Sequence, residues 1–419
     1  MTLPAFMFIL IIEHIKCMGE GCSHTKRKNF IVCILLGIII GVAISSVLLR
    51  VSTAATSYEI TGDEPLSFLL SYFNKFEQED KKIGSVSSGC YVYSTLDANT
   101  QRVYDEVYYA LDNHLDSIEV GTTDLDVLNH AVKAVYADHG NIFWASGYIY
   151  TVETRREKTV ALYYAPKYTF SQEERTALQA QIDIEVDQIL SEIADHPDLY
   201  TDDYEKAKYL FSYLAENVDY RIDSENNQNI LSVFLNKETV CKGYTCAFQY
   251  LLNKVGIKSS IITGDADGQA HTWNLVFLDG AYYYIDVTLG NSVYSDGMDG
   301  EKRFVNYTFF CITTDELLMT HSPNSDFVLP ICTATADNYF FREGLYFSDW
   351  KPDIIGNIFS DAYTGSDELV AVRFSNSELY EMAKTYFVEN HHIQDYCDGI
   401  ESLQYIANYR YNILMFKFH

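Results

Sequence analysis

Residues 237–291 read KETVCKGYTCAFQYLLNKVGIKSSIITGDADGQAHTWNLVFLDGAYYYIDVTLGN, and two local patterns in this stretch decide the fold. Tyr244, Ala247, Phe248, Leu251, Leu252 and Val255 recur at helical spacing, and Gly256 ends the run. Cys241 therefore falls in the first turn of a buried helix. Unpaired backbone N–H groups and the positive end of the helix dipole lie there, and both favour a thiolate. HTWNLVFL (271–278) and AYYYIDVT (281–288) are strand-like runs separated by Asp279-Gly280, a strong short-range hairpin signal. A two-residue turn pairs Leu278 with Ala281, and counting outward sets Trp273 opposite Asp286 and His271 opposite Thr288. Alternation then puts His271 and Asp286 on one face as diagonal neighbours, roughly 7–8 Å apart along the backbone, where an imidazole and a carboxylate can meet.

A helix-terminal cysteine and a carboxylate-oriented histidine are what nucleophilic thiol catalysis needs. The imidazole takes or shares the thiol proton, and the carboxylate fixes its tautomer and stabilises the imidazolium. The spacing leaves the distance from Cys241 to His271 open. Taken singly, each residue has a plainer reading: an inert core thiol, a surface histidine, an aspartate that ends a strand. Cys246, five positions on and on another helix face, is read as core.

The same residues resemble the transglutaminase-like superfamily, papain-like thiol enzymes whose core runs Cys on a helix, His on a strand, Asp on the next strand. The matching positions are Cys241-Lys-Gly243-Tyr244 with Phe248 and Leu251-Leu252, then Gly256, Gly264, His271-Thr-Trp273-Asn274 and Asp286-Val-Thr288. Tyr204–Tyr220 resembles the family's leading helix, and Asn306-Tyr307 through Cys332-Thr-Ala resembles the tail of bacterial members. NIFW (141–144) and APKYTFSQEE (165–174) resemble their N-terminal region, so the likeness covers residues 95–340. Members often read Asp-Pro-Thr-Trp at the third site; here Val287 and Leu289 stand in place of the Pro and Trp. The resemblance implies Cys241, His271 and Asp286 as catalytic residues acting on an amide carbonyl; the core alone does not imply calcium, and no cofactor or metal is expected. An oxyanion hole would use the Cys241 backbone N–H and a second donor. Asn227, Gln228 and Asn229 are candidates for the latter.

Outward from this core, Phe30 to Leu49 is twenty residues without a charge, about the length that spans a hydrocarbon core of roughly 30 Å. Lys26, Arg27 and Lys28 precede it, and beyond Arg50 the next charges are acidic. Basic residues stay in the cytoplasm, so the expectation is a single-pass signal-anchor over 30–50 with an extracytoplasmic body. Cleavage near Ala54 or Ala55 would instead release a secreted protein, and Met18 is an alternative start. The chain carries 30 Lys+Arg against 58 Asp+Glu, which together with the absence of a basic stripe argues against nucleic-acid binding. Hydrophobic residues at 48% allow a large core and exclude a disordered chain.

The expected fold is α+β. It comprises a short cytoplasmic segment (1–29), the transmembrane segment (30–50), a stalk (51–94) and an N-terminal α/β domain (95–197). The transglutaminase-like core (198–334) packs the Cys helix on an antiparallel sheet bearing His and Asp, and a small C-terminal module (335–419) follows. Helices are expected near 100–111, 126–137, 171–194 (opened by a Ser171–Glu174 capping box) and 203–218, and strands at 147–153, 159–165 and in NILMFKF (412–418). Asp265–Gly268 mimics the start of a calcium loop but has Val276 at the twelfth position, so a plain turn is expected. His391-His392 with Asp395 and Cys397 could bind metal, but adjacent histidines point apart on a strand or helix, so exposed surface is expected.

The function these readings support is a membrane-anchored thiol enzyme on a protein or peptide substrate, cell-wall peptide among the candidates. Hydrolysis is favoured over amine transfer because water outnumbers amines at an open site. The alternative is a surface binding module with an idle thiol.

Overall fold

The computed structural model describes residues 48–51, 56–60, 89–295, 301–365, 369–400 and 403–418. The expected membrane helix over 30–50 lies outside them, except that Leu48–Arg50 belong to a strand paired antiparallel with Thr56–Ile60, so helix does not extend through residue 50. No helix among the described residues is long and apolar enough to cross a membrane.

The chain divides into two compact units. The smaller holds most of a five-stranded sheet built from β1 (Leu48–Val51), β2 (Thr56–Ile60), β3 (Ile118–Val120), β4 (Ala145–Arg155) and β5 (Lys158–Tyr168), in the order β1-β2-β4-β5-β3. Residues 56–60, assigned to a stalk from sequence, thus form a strand parallel to β4.

The larger unit carries helices α1 (Ala98–Asp112), α2 (Leu125–Asp138), α3 (Gln172–Asp195), α4 (Asp203–Asn217) and α5 (Cys241–Lys254). Asp97 caps α1, Ser171 and Glu174 form the capping box of α3, and Asp202 caps α4. Each oxygen satisfies backbone N–H groups that have no partner within the helix. The expected 95–197 domain is divided: its helices belong with the core, while most of its β4–β5 hairpin belongs to the smaller unit. Polar ties explain the grouping. Buried Gln249 on α5 donates to the Ala137 and Ser259 carbonyls at 2.9 Å and accepts from Gly140 N–H at 2.6 Å. Buried Asp138 accepts from the Val92 and Tyr93 N–H groups and from the Tyr104 and Ser260 hydroxyls.

Helix α5 packs Tyr244, Ala247, Phe248, Leu251 and Leu252 inward, all fully buried. The sheet beside it is formed by β6 (Lys258–Ala266), β7 (Gln269–Leu278), β8 (Ala281–Ile285) and β9 (His321–Pro323), all antiparallel, in the order β8-β7-β6-β9. The β7–β8 register is the expected one, Leu278 with Ala281 through Asn274 with Ile285. Asp267 and Gly268, both at positive φ, turn β6 into β7.

The C-terminal module has its own sheet, β10 (Tyr346–Phe347), β11 (Leu369–Phe374), β12 (Leu403–Asn408) and β13 (Ile413–Phe418), in the order β10-β11-β13-β12. Phe359 of helix α6 (Pro352–Thr364) and Tyr380 of helix α7 (Ser377–Lys384) pack in its core with Phe387, Leu414 and Phe416. Strand β13 is buried along its whole length. Ile413 and Met415 face a second apolar cluster that contains Trp273, Phe309 and Leu317 of the core.

Candidate active site

Cys241 is the first residue of α5, with extended Val240 as its N-cap. Gly243 is dictated by this start: a Cβ there would overlap Thr239 Oγ1 and lie 3.0 Å from the Asn227 carbonyl oxygen. The helix is fixed to the sheet by polar contacts to the strand that carries His271. Thr245 Oγ1 donates to the Cys241 carbonyl (2.8 Å) and meets Thr272, while buried Asn274 donates to the Thr245 carbonyl (3.1 Å) and Ser259 Oγ (3.3 Å). These contacts hold residue 241 and β7 together, which sequence spacing could not establish.

His271 Nε2 lies 2.7 Å from Asp286 Oδ2. Asp286 is not within the strand, as the hairpin reading expected. The ladder ends at Ile285, and Asp286 caps the short helix Val287–Gly290, its Oδ1 accepting from the N–H groups of Thr288 (3.0 Å) and Leu289 (3.3 Å). The contact with His271 follows from a carboxylate placed one residue past the ladder and aimed back by that cap.

The sequence reading missed His321. It reaches the site on β9, and its Nε2 lies 3.2 Å from the same Asp286 Oδ2. Both residues are buried, with side chains 0% and 1% exposed. Gly264 makes room for this strand, since a Cβ there would strike the Ser322 carbonyl and the Trp273 ring. A lone histidine in LMTHSP, 35 residues beyond Asp286, gave no spacing signal.

The electrostatics follow from these contacts. Burial pushes the Cys241 thiol up, but the hydrogen bond and charge of His271, with help from Thr272 and the Lys242 N–H, bring it below its ordinary value. Burial opposes charge on His271, yet bonding to Asp286 and Cys241 raises it well above the usual imidazole range. With Asp286 on Nε2, Nδ1 is the nitrogen left for Cys241. Asp286, opposed by burial, is held low by its two histidines. The other described thiols go the opposite way: burial pushes Cys90 to about 12, Cys332 and Cys397 to about 11, and Cys246 and Cys311 upward. Cys241 is the one described cysteine whose environment favours the reactive anion.

Residues 194–287 match the transglutaminase-like superfamily. The transglutaminase-like segment includes Cys241, His271 and Asp286 and ends before His321. No curated protein matches the chain. Among solved structures it is similar to "Crystal structure of a TGase", at 12% identity and TM-score 0.25, covering 37% of this chain and 55% of that one. It is also similar to a "Putative Cysteine Protease from Cytophaga hutchinsonii", at 12% identity and TM-score 0.23, covering 37% and 65%. The chain thus spans less than two thirds of either structure's length.

Of the three oxyanion candidates, Asn227 donates its amide to the Ile222 carbonyl and Gln228 bonds Asn227 at 3.3 Å. Asn229 Oδ1 accepts from Leu231 N–H at 2.9 Å. All three line a cavity of about 550 Å³ with Lys242 and Cys246. His271, Asp286 and His321 offer donor atoms within 4.8 Å of one another, the one cluster among the described residues that could hold a metal ion. Here those atoms are bonded to each other. His392 pairs with Asp395 at 2.7 Å on the exposed surface, while Cys397 is buried.

Proposed function

We propose that the protein is a thiol enzyme acting on amide carbonyls, with Cys241 as nucleophile, His271 as acid and base, and Asp286 as the group that orients His271. The observation that carries this is the depressed Cys241 thiol beside a histidine whose far nitrogen is held 2.7 Å from a buried carboxylate. In this reaction Cys241 Sγ attacks the carbonyl carbon. His271 Nδ1 gives its proton to the departing amine as the C–N bond breaks, leaving a thioester. Water or a second amine then attacks the thioester carbon and gives its proton to His271, and the C–S bond breaks to release the acid or the new amide and restore the Cys241 thiolate beside protonated His271.

Hydrolysis is the favoured outcome, by the concentration of water over amines. The substrate is a protein or peptide. Following the charge pattern around residues 30–50, the body is held outside the cytoplasm by an N-terminal anchor.

An activated ester such as 4-nitrophenyl acetate tests this on the full chain. A burst of nitrophenol with an acetyl adduct mapped to Cys241, absent from Cys241→Ala, is expected. Partition of that adduct between water and added primary amine reads out hydrolysis against transfer. Adducts spread over several residues, with equal turnover in Cys241→Ala, would contradict the proposal.

A further inference from the structure

His321 is buried on every side, yet both of its ring nitrogens are engaged. Nε2 faces Asp286 Oδ2, and Nδ1 lies 2.8 Å from Thr320 Oγ1. Thr320 Oγ1 is 2.9 Å from the Tyr411 hydroxyl, which lies 3.0 Å from the Glu316 carbonyl oxygen. The direction of this chain is set at its end. A carbonyl only accepts, so Tyr411 donates to Glu316. The Tyr411 oxygen is left to accept from Thr320 O–H, and His321 turns Nε2 to Asp286 and Nδ1 to Thr320. Trp273 and Phe309 close in on the ring edge-on, with centroids 4.8 and 5.4 Å away. The ionisable groups around it are Asp286, His271 (centroid 5.7 Å) and Tyr411, with Glu316 beyond, its carboxylate paired to Arg373 of β11.

We propose that His321 is a positioning residue that fixes Asp286 against His271, and that Thr320 and Tyr411 tie this support to the C-terminal module. This rests on the thiol-enzyme reading and deepens it. Residues 335–419 become part of the active-site framework, because Tyr411 precedes β13 and its hydroxyl ends the chain of contacts behind Asp286. The polar contacts of His321 run to Asp286 and Thr320. Its effect passes through Asp286.

The test is the pH dependence of Cys241 alkylation by iodoacetamide on the full chain, the modified site mapped by mass, in wild type, His271→Ala, His321→Leu, His321→Gln and Tyr411→Phe. With its support removed, Asp286 holds the His271 imidazolium less well and the thiolate forms at higher pH. His321→Leu should move the acid limb up by about one pH unit, a fall of about tenfold in rate on that limb. His321→Gln, whose amide can donate to Oδ2, should recover most of that shift, and Tyr411→Phe should move the limb the same way by less. Loss of packing alone would not be reversed by Gln. If the Leu and Phe profiles overlay the wild type while His271→Ala still abolishes the acidic window, the inference fails and the thiol-enzyme reading stands. A Gln profile no better than Leu overturns it equally. If His321→Leu does not fold, Tyr411→Phe decides by shifting or by superimposing. A wild-type profile without a His271-dependent window sinks the underlying reading instead.

Discussion

His271 and His321 set their Nε2 atoms on one oxygen, Asp286 Oδ2, at 2.7 and 3.2 Å. The other carboxylate oxygen takes two backbone N–H groups, so Asp286 accepts four hydrogen bonds and is buried without an unpaired lone-pair direction. A carboxylate this fully engaged stays ionised despite burial. It is also held from three directions, which keeps Oδ2 aimed at His271.

The first prediction concerns thiol selectivity. In the folded protein, Cys241 should react with iodoacetamide at mildly acidic pH while Cys90, Cys246, Cys311, Cys332 and Cys397 stay unmodified. Their thiols are shifted up by burial and that of Cys241 is shifted down. Peptide mapping after a brief pulse checks this. Equal labelling of Cys90 and Cys241 would contradict the assigned environments.

Gly243→Ala should damage the helix start without touching the Cys241, His271 or Asp286 side chains. The added methyl meets Thr239 Oγ1 and the Asn227 carbonyl, and neither can withdraw freely because they are bonded to each other at 2.9 Å. Overpacking of this kind costs about 1–3 kcal/mol. Denaturant unfolding should show it, and an unchanged midpoint would place the helix start elsewhere.

Asn274→Ala removes the amide that ties α5 to β6 and β7. It removes two buried hydrogen bonds, one to the Thr245 carbonyl and one to Ser259 Oγ, a loss of about 1–3 kcal/mol. Alkylation of Cys241 should slow in the same variant, since the helix then holds its distance to His271 less firmly. Unfolding and labelling measured on one preparation test both parts.

Asp138 sets a pH dependence of stability separate from the active site. Burial, offset in part by its four donors, raises its carboxyl to about 6. A raised folded-state pKa gives stability that is complete below the ordinary value of about 3.9 and is lost as pH rises through 6. Thermal unfolding should therefore fall between pH 4 and 7 more steeply in wild type than in Asp138→Asn. Parallel slopes would show that Asp138 titrates normally.

Local signals carried much of this site. The apolar spacing after Cys241 and the Asp279-Gly280 turn suffice for the helix start and the hairpin register, because both depend on neighbours in sequence. Asp286 was placed on the correct side of His271 but in the wrong element, since its capping of Val287–Gly290 is invisible to a period-two pattern. His321 was not legible at all. It sits on a three-residue strand after an irregular segment, and only tertiary pairing with Gly264–Ala266 brings it to Asp286. Strand β13 is legible as a strand, but its burial on both faces is not, since that depends on its place between the module's own core and the Trp273 cluster.

The central claim is a thiolate–imidazolium pair between Cys241 and His271, stabilised by Asp286. With the thiol lowered and the imidazole raised, the pair exists between the two pKa values, lost to protonation of sulfur below and to deprotonation of His271 above. The most direct measurement is the rate of Cys241 alkylation against pH in wild type, His271→Ala and Asp286→Asn. A plateau of reactivity reaching below neutral pH is expected in wild type, absent in His271→Ala and narrowed from both sides in Asp286→Asn. A single sigmoidal rise near pH 8 to 9, the same in all three, would contradict the pair.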